Sequence, residues 1–170
     1  MASTKAYDAH TQDTPLAPFS LERRDPTPND VQIEILFCGV CHSDLHIARN
    51  EWGGGTQYPC VPGHEIVGRV VKVGKEVKKF REGDLAGVGC MVDSCRTCLS
   101  CREDLEQFCE NGAPLTYNSA AAHTSGITYG GYPTSLGVKQ DVDIRTQDQP
   151  HPTARAPHHR VRHTPDSPTR

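Results

Sequence analysis

Four cysteines in the middle of the chain have the spacing of a metal site. Cys95, Cys98, Cys101 and Cys109 follow the pattern C-x2-C-x2-C-x7-C within the segment DSCRTCLSCREDLEQFC. Two residues between thiols let one tight turn direct both sulfurs at the same point, and four thiolates complete a tetrahedral zinc shell. A closed shell leaves no position for a substrate. The pattern therefore predicts a structural zinc ion that stabilises a loop-rich lobe.

Two disulfides, a redox dithiol and an iron–sulfur cluster are the other uses of four cysteines. The first residues, MASTKAYDAHTQDTPLAP, lack the apolar core of a secretory signal. We therefore expect the eight cysteines of the chain to be reduced, which disfavours disulfides. A redox pair needs only two thiols. The cluster stays an alternative because four cysteines also bind iron.

A second group of residues combines a thiol, imidazoles and carboxylates. The segment CHSDLH begins at Cys41, and GHE follows with His64 and Glu65. Cys41 and His64 are natural zinc ligands, while Glu65 could add a carboxylate or serve as an outer partner. Ser43 and His46 lie near Cys41 in sequence and could pass a proton from a buried alcohol to solvent. Taken alone, a cysteine and a histidine this far apart are more often packed or surface residues than ligands.

Short strands must position both groups. Residues 31–37, VQIEILF, alternate between apolar and polar, which is typical of a strand with one wet face. Residues 66–73, IVGRVVKV, are β-branched, with Gly68 at a bulge or close approach. A third strand, LAGVG, follows a turn, and residues 38–50 could form one or two helical turns. These elements predict a small β-barrel or partial barrel without a long amphipathic helix.

The charge of the chain excludes several partners. The formal net charge is -3, so no basic field attracts nucleic acid or an anionic membrane. No apolar run approaches the roughly 18 to 20 residues of a spanning helix. A nucleic-acid-binding zinc ribbon is disfavoured because acidic residues outnumber arginines in the cysteine segment. These are Asp93, Glu103, Asp104, Glu106 and Glu110 against Arg96 and Arg102. We expect a cytoplasmic protein without nucleic-acid or membrane partners.

Several motifs together resemble one enzyme family. The segments GVCHSDLH, YPCVPGHEIVGRVVKVG and GDLAGVGCMVDSC, with the four-cysteine run, are similar in order and spacing to the zinc-dependent medium-chain alcohol dehydrogenases. The cinnamyl-alcohol-dehydrogenase-like, NADP-preferring branch is most similar. The resemblance covers about residues 5–140, including TYN at 116–118 and GGY at 130–132. It implies a mainly β, GroES-like barrel with short helices and a zinc-binding lobe.

The resemblance also implies a catalytic zinc ion. Its ligands would be Cys41, His64 and a further cysteine downstream, with Glu65 beside the metal. No cysteine follows Cys109, so we expect Glu65 to take the place of the third ligand. Three other cysteines could replace this ligand only if the fold happened to place them near the metal: Cys38, Cys60 and Cys90.

Further roles follow from the same resemblance. Ser43 and His46 would form the proton relay, His42 would contact the cofactor, and Trp52 would line the substrate pocket. A packed loop aromatic is the alternative for Trp52. The activity implied is reversible oxidation of a small alcohol to an aldehyde with NADP(H), the metal acting as a Lewis acid. A homo-oligomer is a further expectation.

The end of the sequence differs from the rest. From Gln147 onward it is rich in Pro, His and Arg and has neither Leu nor aromatic residues, so it is predicted to be disordered. We assign residues 1–140 to the zinc-binding domain and 141–170 to a tail foreign to the family. No G-x-G-x-x-G nucleotide motif occurs. We interpret the chain as a truncated enzyme, and a non-catalytic zinc-stabilised fragment or interaction module is the alternative.

Overall fold

The computed structural model of the chain describes residues 2–120, 126–139 and 144–146. These ranges contain mostly strands, with short helices between them. The elements are, in chain order, β1 Ala2–Asp8, β2 Ala17–Arg23, β3 Asp30–Gly39, α1 His42–Ala48, β4 Glu65–Val73, β5 Leu85–Val88, α2 Leu99–Arg102, a 3-10 turn Glu106–Phe108, β6 Ser135–Lys139 and β7 Ile144–Thr146. The expected mainly β fold with short helices is confirmed.

An antiparallel sheet in the order β6-β3-β4-β5-β7 forms the centre of the fold. Alternate residues are buried at the start of β3 and along the first half of β4, and Val31, Ile33, Ile66 and Val70 are at most 2% exposed. The core is completed by Phe80, Ala86, Val88, Leu136 and Val138. Burial of an aliphatic side chain of this size contributes about 1.5–3 kcal/mol. The core therefore fixes the register of β3 against β4.

The pairing of β3 with β4 brings two distant segments of sequence together. β3 ends at Gly39, just before Cys41, and β4 begins at Glu65, directly after His64. Gly39 and Glu65 are partners in the ladder. Since antiparallel strands place the end of one beside the start of the next, Cys41 and His64 lie at the same end of the sheet.

Gly68 lies where the β3–β4 ladder is irregular. The register shifts between Ile35 and Phe37, and Ile35 pairs with Gly68. A Cβ at Gly68 would lie 2.3 Å from the carbonyl oxygen of Glu34. This distance is too short for any side chain at that position. The predicted close approach at Gly68 is confirmed.

The first two strands form a separate ribbon. β1 and β2 pair only with each other, so within the described ranges the strands form an open sheet and a ribbon rather than a closed barrel. Arg23 attaches the ribbon to the rest of the fold, because its guanidinium donates to the carbonyl oxygens of Tyr129 and Gly130 at 3.1 Å. The amide of Thr134 donates to the carbonyl of Lys5 at 3.1 Å.

Strand β7 extends the sheet beyond residue 140. It pairs with β5 through Ile144–Thr146, and so lies within residues 141–170, which the sequence analysis assigns to the tail. The domain boundary at residue 140 stays a prediction. The disorder predicted from Gln147 concerns residues outside the described ranges. In the described ranges, no helix combines the length and apolar character needed to cross a membrane.

Candidate metal centres and proton relay

The four cysteines of the predicted structural site converge. The sulfur atoms of Cys95, Cys98, Cys101 and Cys109 all lie within 4.8 Å of one another, and Cys95 Sγ is 3.8 Å from Cys101 Sγ. Cys101 is buried on α2, and the other three are half-buried. All four are free thiols. Four convergent sulfurs of this kind could hold a tetrahedral zinc ion.

Hydrogen bonds stabilise the thiolate form of Cys95. Its sulfur accepts from the amide and hydroxyl of Thr97, at 3.5 and 3.6 Å, and from the amide of Cys98 at 3.3 Å. These bonds, those from Thr97 foremost, lower the pKa of Cys95 to about 5. The amide of Cys95 in turn donates to Cys109 Sγ at 3.4 Å. Because the thiolate is the form that binds metal, the local backbone prepares Cys95 as a ligand.

A turn held by Asp93 shapes the start of the cysteine lobe. The buried carboxylate accepts from the amide of Ser94 and from the guanidinium of Arg96, both at 2.9 Å. Arg96 has a positive φ of 59°, which a non-glycine residue adopts only when its surroundings hold it there. The turn directs the chain from Cys95 toward the α2 helix that carries Cys101.

Cys41, His64 and Glu65 form the second convergent group. One possible ligand atom from each residue lies within 4.8 Å of the others. His64 is buried at 6% exposure, Cys41 is half-buried and Glu65 is exposed. The third member of this group is the carboxylate, as the sequence analysis expects, and three cysteines lie outside it: Cys38, Cys60 and Cys90.

Two of those cysteines are packing residues near the site. Burial is the main cause that raises the pKa of Cys38 and of Cys60, and with a smaller contribution from nearby carboxylates, Asp44 among them, the pKa reaches about 11. Cys38 packs against the core of the sheet, and Cys60 is buried. Neither sulfur belongs to the convergent group of Cys41, His64 and Glu65.

Asp44 connects the parts of this second group, and the sequence analysis gave it no role. Its carboxylate accepts from the amides of Cys41 and Gly63, each at 2.9 Å, and lies 3.1 Å from His64 Nδ1. The residue is 3% exposed. A carboxylate on Nδ1 fixes the imidazole and leaves Nε2 for a metal, as in carboxylate–histidine–zinc triads. The signal in the sequence is its position three residues after Cys41, at the start of α1, where an acidic residue caps the helix.

Two glycines allow the group to close. Gly63 has φ +105°, and a Cβ there would lie 2.7 Å from Tyr132 Cδ1 and 2.9 Å from the amide nitrogen of Gly131. The Gly131 amide donates to the carbonyl of Gly63 at 2.8 Å. At Gly39 a Cβ would lie 2.3 Å from Glu65 Oε2. Glu65 can therefore fold over the end of β3 only because Gly39 has no side chain.

Two tyrosines from the TYN and GGY motifs line the same site. The Tyr117 ring centroid is 5.6 Å from that of His64, and Tyr117 is 7% exposed. Burial, and after it the charge of Asp44, raises the pKa of Tyr117 and of Tyr132 well above the ordinary value. Both phenols therefore stay neutral and can donate to a carboxylate.

The residues of the expected relay lie on and after α1. His46 Nδ1 is 2.6 Å from Glu51 Oε2. The His46 ring centroid is 4.7 Å from that of His42 and 5.7 Å from that of Trp52. Ser43 is half-buried three residues before His46, so the two are neighbours on the helix surface. Glu51 was missed by the sequence analysis. It follows the end of the helix, so no periodicity relates it to His46.

Comparison with known proteins now places this geometry in a family. The family model described as the alcohol dehydrogenase GroES-like domain matches residues 27–148. The chain belongs to this family. A relative of this GroES-like domain is aldehyde reductase YahK of Escherichia coli, which is 53% identical over 141 residues. Among solved structures, a cinnamyl alcohol dehydrogenase from Sorghum bicolor is 43% identical with a TM-score of 0.81. The CAD from Helicobacter pylori, solved in complex with NADP(H), is 39% identical, also with a TM-score of 0.81.

The matched proteins are much longer than this GroES-like chain. The match to the E. coli reductase covers 83% of this chain and 40% of that protein. The match to the Sorghum structure covers 85% of this chain and 40% of that protein, and the match to the Helicobacter structure covers 86% and 42%. The chain thus spans about two fifths of the length of the relatives it matches.

Proposed function

We propose that the chain provides the zinc-binding, substrate-handling domain of an NADP-linked alcohol dehydrogenase, which interconverts a small alcohol and its aldehyde. The observation that carries this proposal is the convergence of Cys41, His64 and Glu65 within 4.8 Å, braced by buried Asp44. A four-cysteine site alone would support a structural role only. The second group adds ligands at the end of the sheet where a substrate could reach an open coordination position.

The donor sets suit zinc at both sites. Cys95, Cys98, Cys101 and Cys109 would hold a structural ion, whereas Cys41, His64 and Glu65 would hold a catalytic one. The NADP-bound Helicobacter relative supports NADP as the cofactor. When bound, zinc supplies Lewis acidity toward the alcohol oxygen and NADP supplies the hydride acceptor.

The chain's own residues would move the proton. Ser43 is suited to accept it from the substrate hydroxyl, and His46 to receive it from Ser43. His46 Nδ1 is 2.6 Å from Glu51 Oε2, and the Glu51 side chain is 43% exposed. Glu51 can therefore exchange the proton with water. This order gives a path from a half-buried hydroxyl to solvent.

His42 and Trp52 complete the proposed site. We infer that His42, exposed beside Cys41, contacts the cofactor, and that Trp52 covers the substrate side of the α1 helix. The contact of both rings with His46 supports this arrangement. The cytoplasmic location and the homo-oligomeric state stay predictions.

A second candidate function is a zinc-stabilised module without catalysis. The observation that favours it is the four-cysteine group, which would hold a zinc ion without leaving an open coordination position. Such a module would keep the four-cysteine zinc and bind no NADPH.

Elemental analysis of the purified chain with an NADPH fluorescence titration separates the two functions. The enzyme proposal predicts zinc at both groups and saturable NADPH binding. His64→Ala should then remove one zinc ion while the exposed control His10→Ala keeps both. Zinc at the four-cysteine group only, without NADPH binding, would contradict the enzyme proposal for this chain and favour the module.

A further inference from the structure

Arg23, the last residue of β2, is a charged side chain whose hydrogen-bond partners are backbone carbonyls. Its guanidinium donates to the Tyr129 oxygen through Nη1 and Nη2 and to the Gly130 oxygen through Nη2, each at 3.1 Å. Among the described residues, no carboxylate forms an ion pair with it, and its Nε is buried without a partner. Burial lowers the pKa of Arg23 to about 10, so the group stays charged at neutral pH. The two carbonyls are therefore the groups that offset the cost of burying this charge.

Each of these carbonyls belongs to a peptide group that is hydrogen-bonded on both sides. The first peptide joins Tyr129 to Gly130. Its oxygen accepts from Arg23, and its N–H donates to the Val61 carbonyl at 2.8 Å. The oxygen of the next peptide also accepts from Arg23, and its N–H donates to the Gly63 carbonyl at 2.8 Å. Because a peptide that accepts from a cation is polarised, its N–H is the stronger donor.

The second of these peptides leads directly to a candidate metal ligand. The Gly63 carbonyl is part of the peptide group whose N–H belongs to His64. No side chain separates the two segments, since a Cβ at Gly130 would lie 2.4 Å from the Gly63 oxygen. On the other side, a Cβ at Gly131 would lie 2.3 Å from Ile66 Cγ1. A shift of the GGY segment would therefore be transmitted to the backbone of His64.

We infer that Arg23 is a positioning residue of the candidate catalytic metal site. It holds the GGY segment against residues 61–63 through two peptide groups and so sets the place from which His64 approaches a metal. An arginine that only fastened the ribbon would affect stability and leave metal binding at the Cys41 group unchanged. The effect on the metal rests on the proposed function, whereas the fixing of the turn before His64 does not.

Two readouts on the intact chain test this role. Arg23→Met removes the charge and the donors but keeps a long side chain. Amide hydrogen exchange of Gly130 and Gly131, followed by NMR, should become about tenfold faster. Cobalt(II) serves as a spectroscopic probe for zinc, because the two metal groups differ in their number of thiolates. Its affinity at the Cys41 group should fall about tenfold, while its affinity at the four-cysteine group should stay the same.

Arg23→Lys is the second variant, and it decides the question if Arg23→Met does not fold. Lysine keeps the charge but lacks the planar fork that spans two carbonyls, so both readouts should lie between those of the natural protein and Arg23→Met. Arg69→Met is the matched control. Arg69 is exposed and also donates to a backbone carbonyl, that of Gly83 at 3.0 Å. This control should leave both readouts unchanged.

Three results separate the possible roles of Arg23. Unchanged exchange of the two glycine amides in the folded Arg23 variants would overturn the inference. Faster exchange with undiminished cobalt affinity at the Cys41 group, or with an equal loss at both metal groups, would show that Arg23 only fastens the ribbon. If the natural chain binds no cobalt at the Cys41 group but the exchange is faster in the Arg23 variants, the proposed function fails and the fixing of the turn stands.

Discussion

At the scale of single residues, Asp44 organises the candidate catalytic site. One buried carboxylate accepts from two backbone amides and fixes the imidazole of His64. The two amides belong to Cys41 and Gly63, so the same group orients ligands from both segments. A group with this many partners in a buried site acts on metal affinity as well as on folding.

Asp44→Asn should therefore lower the zinc affinity of the Cys41 group about 10- to 100-fold, because an amide does not fix the His64 tautomer as a carboxylate does. Competition with a chromophoric chelator measures the affinity. The four-cysteine site should be unaffected. Asp104→Asn is the control, since Asp104 is exposed at φ 59°, a conformation that asparagine also adopts. Equal zinc affinity in the natural protein and Asp44→Asn would rule out this role.

At the scale of elements, the turn at Gly63 joins the site to the GGY segment. The amides of Gly130, Gly131 and Tyr132 donate to the carbonyls of Val61, Gly63 and Pro62 at 2.8 to 3.2 Å. The two segments are thus in backbone contact along their length, and no Cβ fits between them at Gly63. The conformation of the turn before His64 therefore depends on its packing against the GGY segment.

Gly63→Ala should lower the free energy of unfolding by about 3 kcal/mol, since it adds a backbone penalty at φ +105° to a steric clash. Urea denaturation measures the change. Gly83→Ala, with a positive φ and open space, should cost only about 1 kcal/mol. Similar losses in the two variants would mean that the contacts of Gly63 are not critical.

We expect the cysteine lobe to depend more on bound metal than the other elements do. Its segment from Cys95 to Asn111 contains only α2 and a 3-10 turn, with Leu99 and Phe108 exposed, so little apolar burial stabilises it. Chelation of zinc should increase amide hydrogen exchange throughout this segment while β3 and β4 stay protected. Mass spectrometry of peptides from both regions provides the comparison. Unchanged exchange in the lobe after complete zinc removal would refute the prediction.

At the scale of the whole molecule, a buried carboxylate joins the ribbon to the sheet. Asp30 is 0% exposed at the start of β3 and pairs with Arg24, which directly follows β2. The Thr27 amide also donates to it at 2.6 Å. Burial alone would raise the pKa of Asp30, but the hydrogen bonds from Arg24 and Thr27 hold it below the ordinary value.

The direction of this shift sets a pH dependence. A lowered folded-state pKa means that Asp30 contributes stability fully above its unfolded value, near 3.8, and that this contribution is lost as the pH falls through the folded-state pKa. Asp30→Asn should be less stable at pH 7 by about 1–3 kcal/mol. Its stability should also fall less on acidification than that of the natural protein. Urea unfolding from pH 7 to about pH 2 measures both effects, with Asp104→Asn as the control. Parallel pH curves for Asp30→Asn and the natural chain would contradict the assignment.

The sequence by itself determined the family and the mainly β character, and it predicted the residues that converge in both candidate metal sites. Local spacing suffices for the four cysteines because one tight turn brings C-x2-C sulfurs together. Only the tertiary structure revealed the roles of Asp44 and Glu51. From the sequence, Asp44 is only a helix-capping residue. In the structure, the β3–β4 register places Gly63 and His64 beside its carboxylate. Glu51 reaches His46 through a loop without periodicity. Contacts of this kind depend on the strand register and on the course of the loop, and the spacing of residue types in the sequence does not predict either.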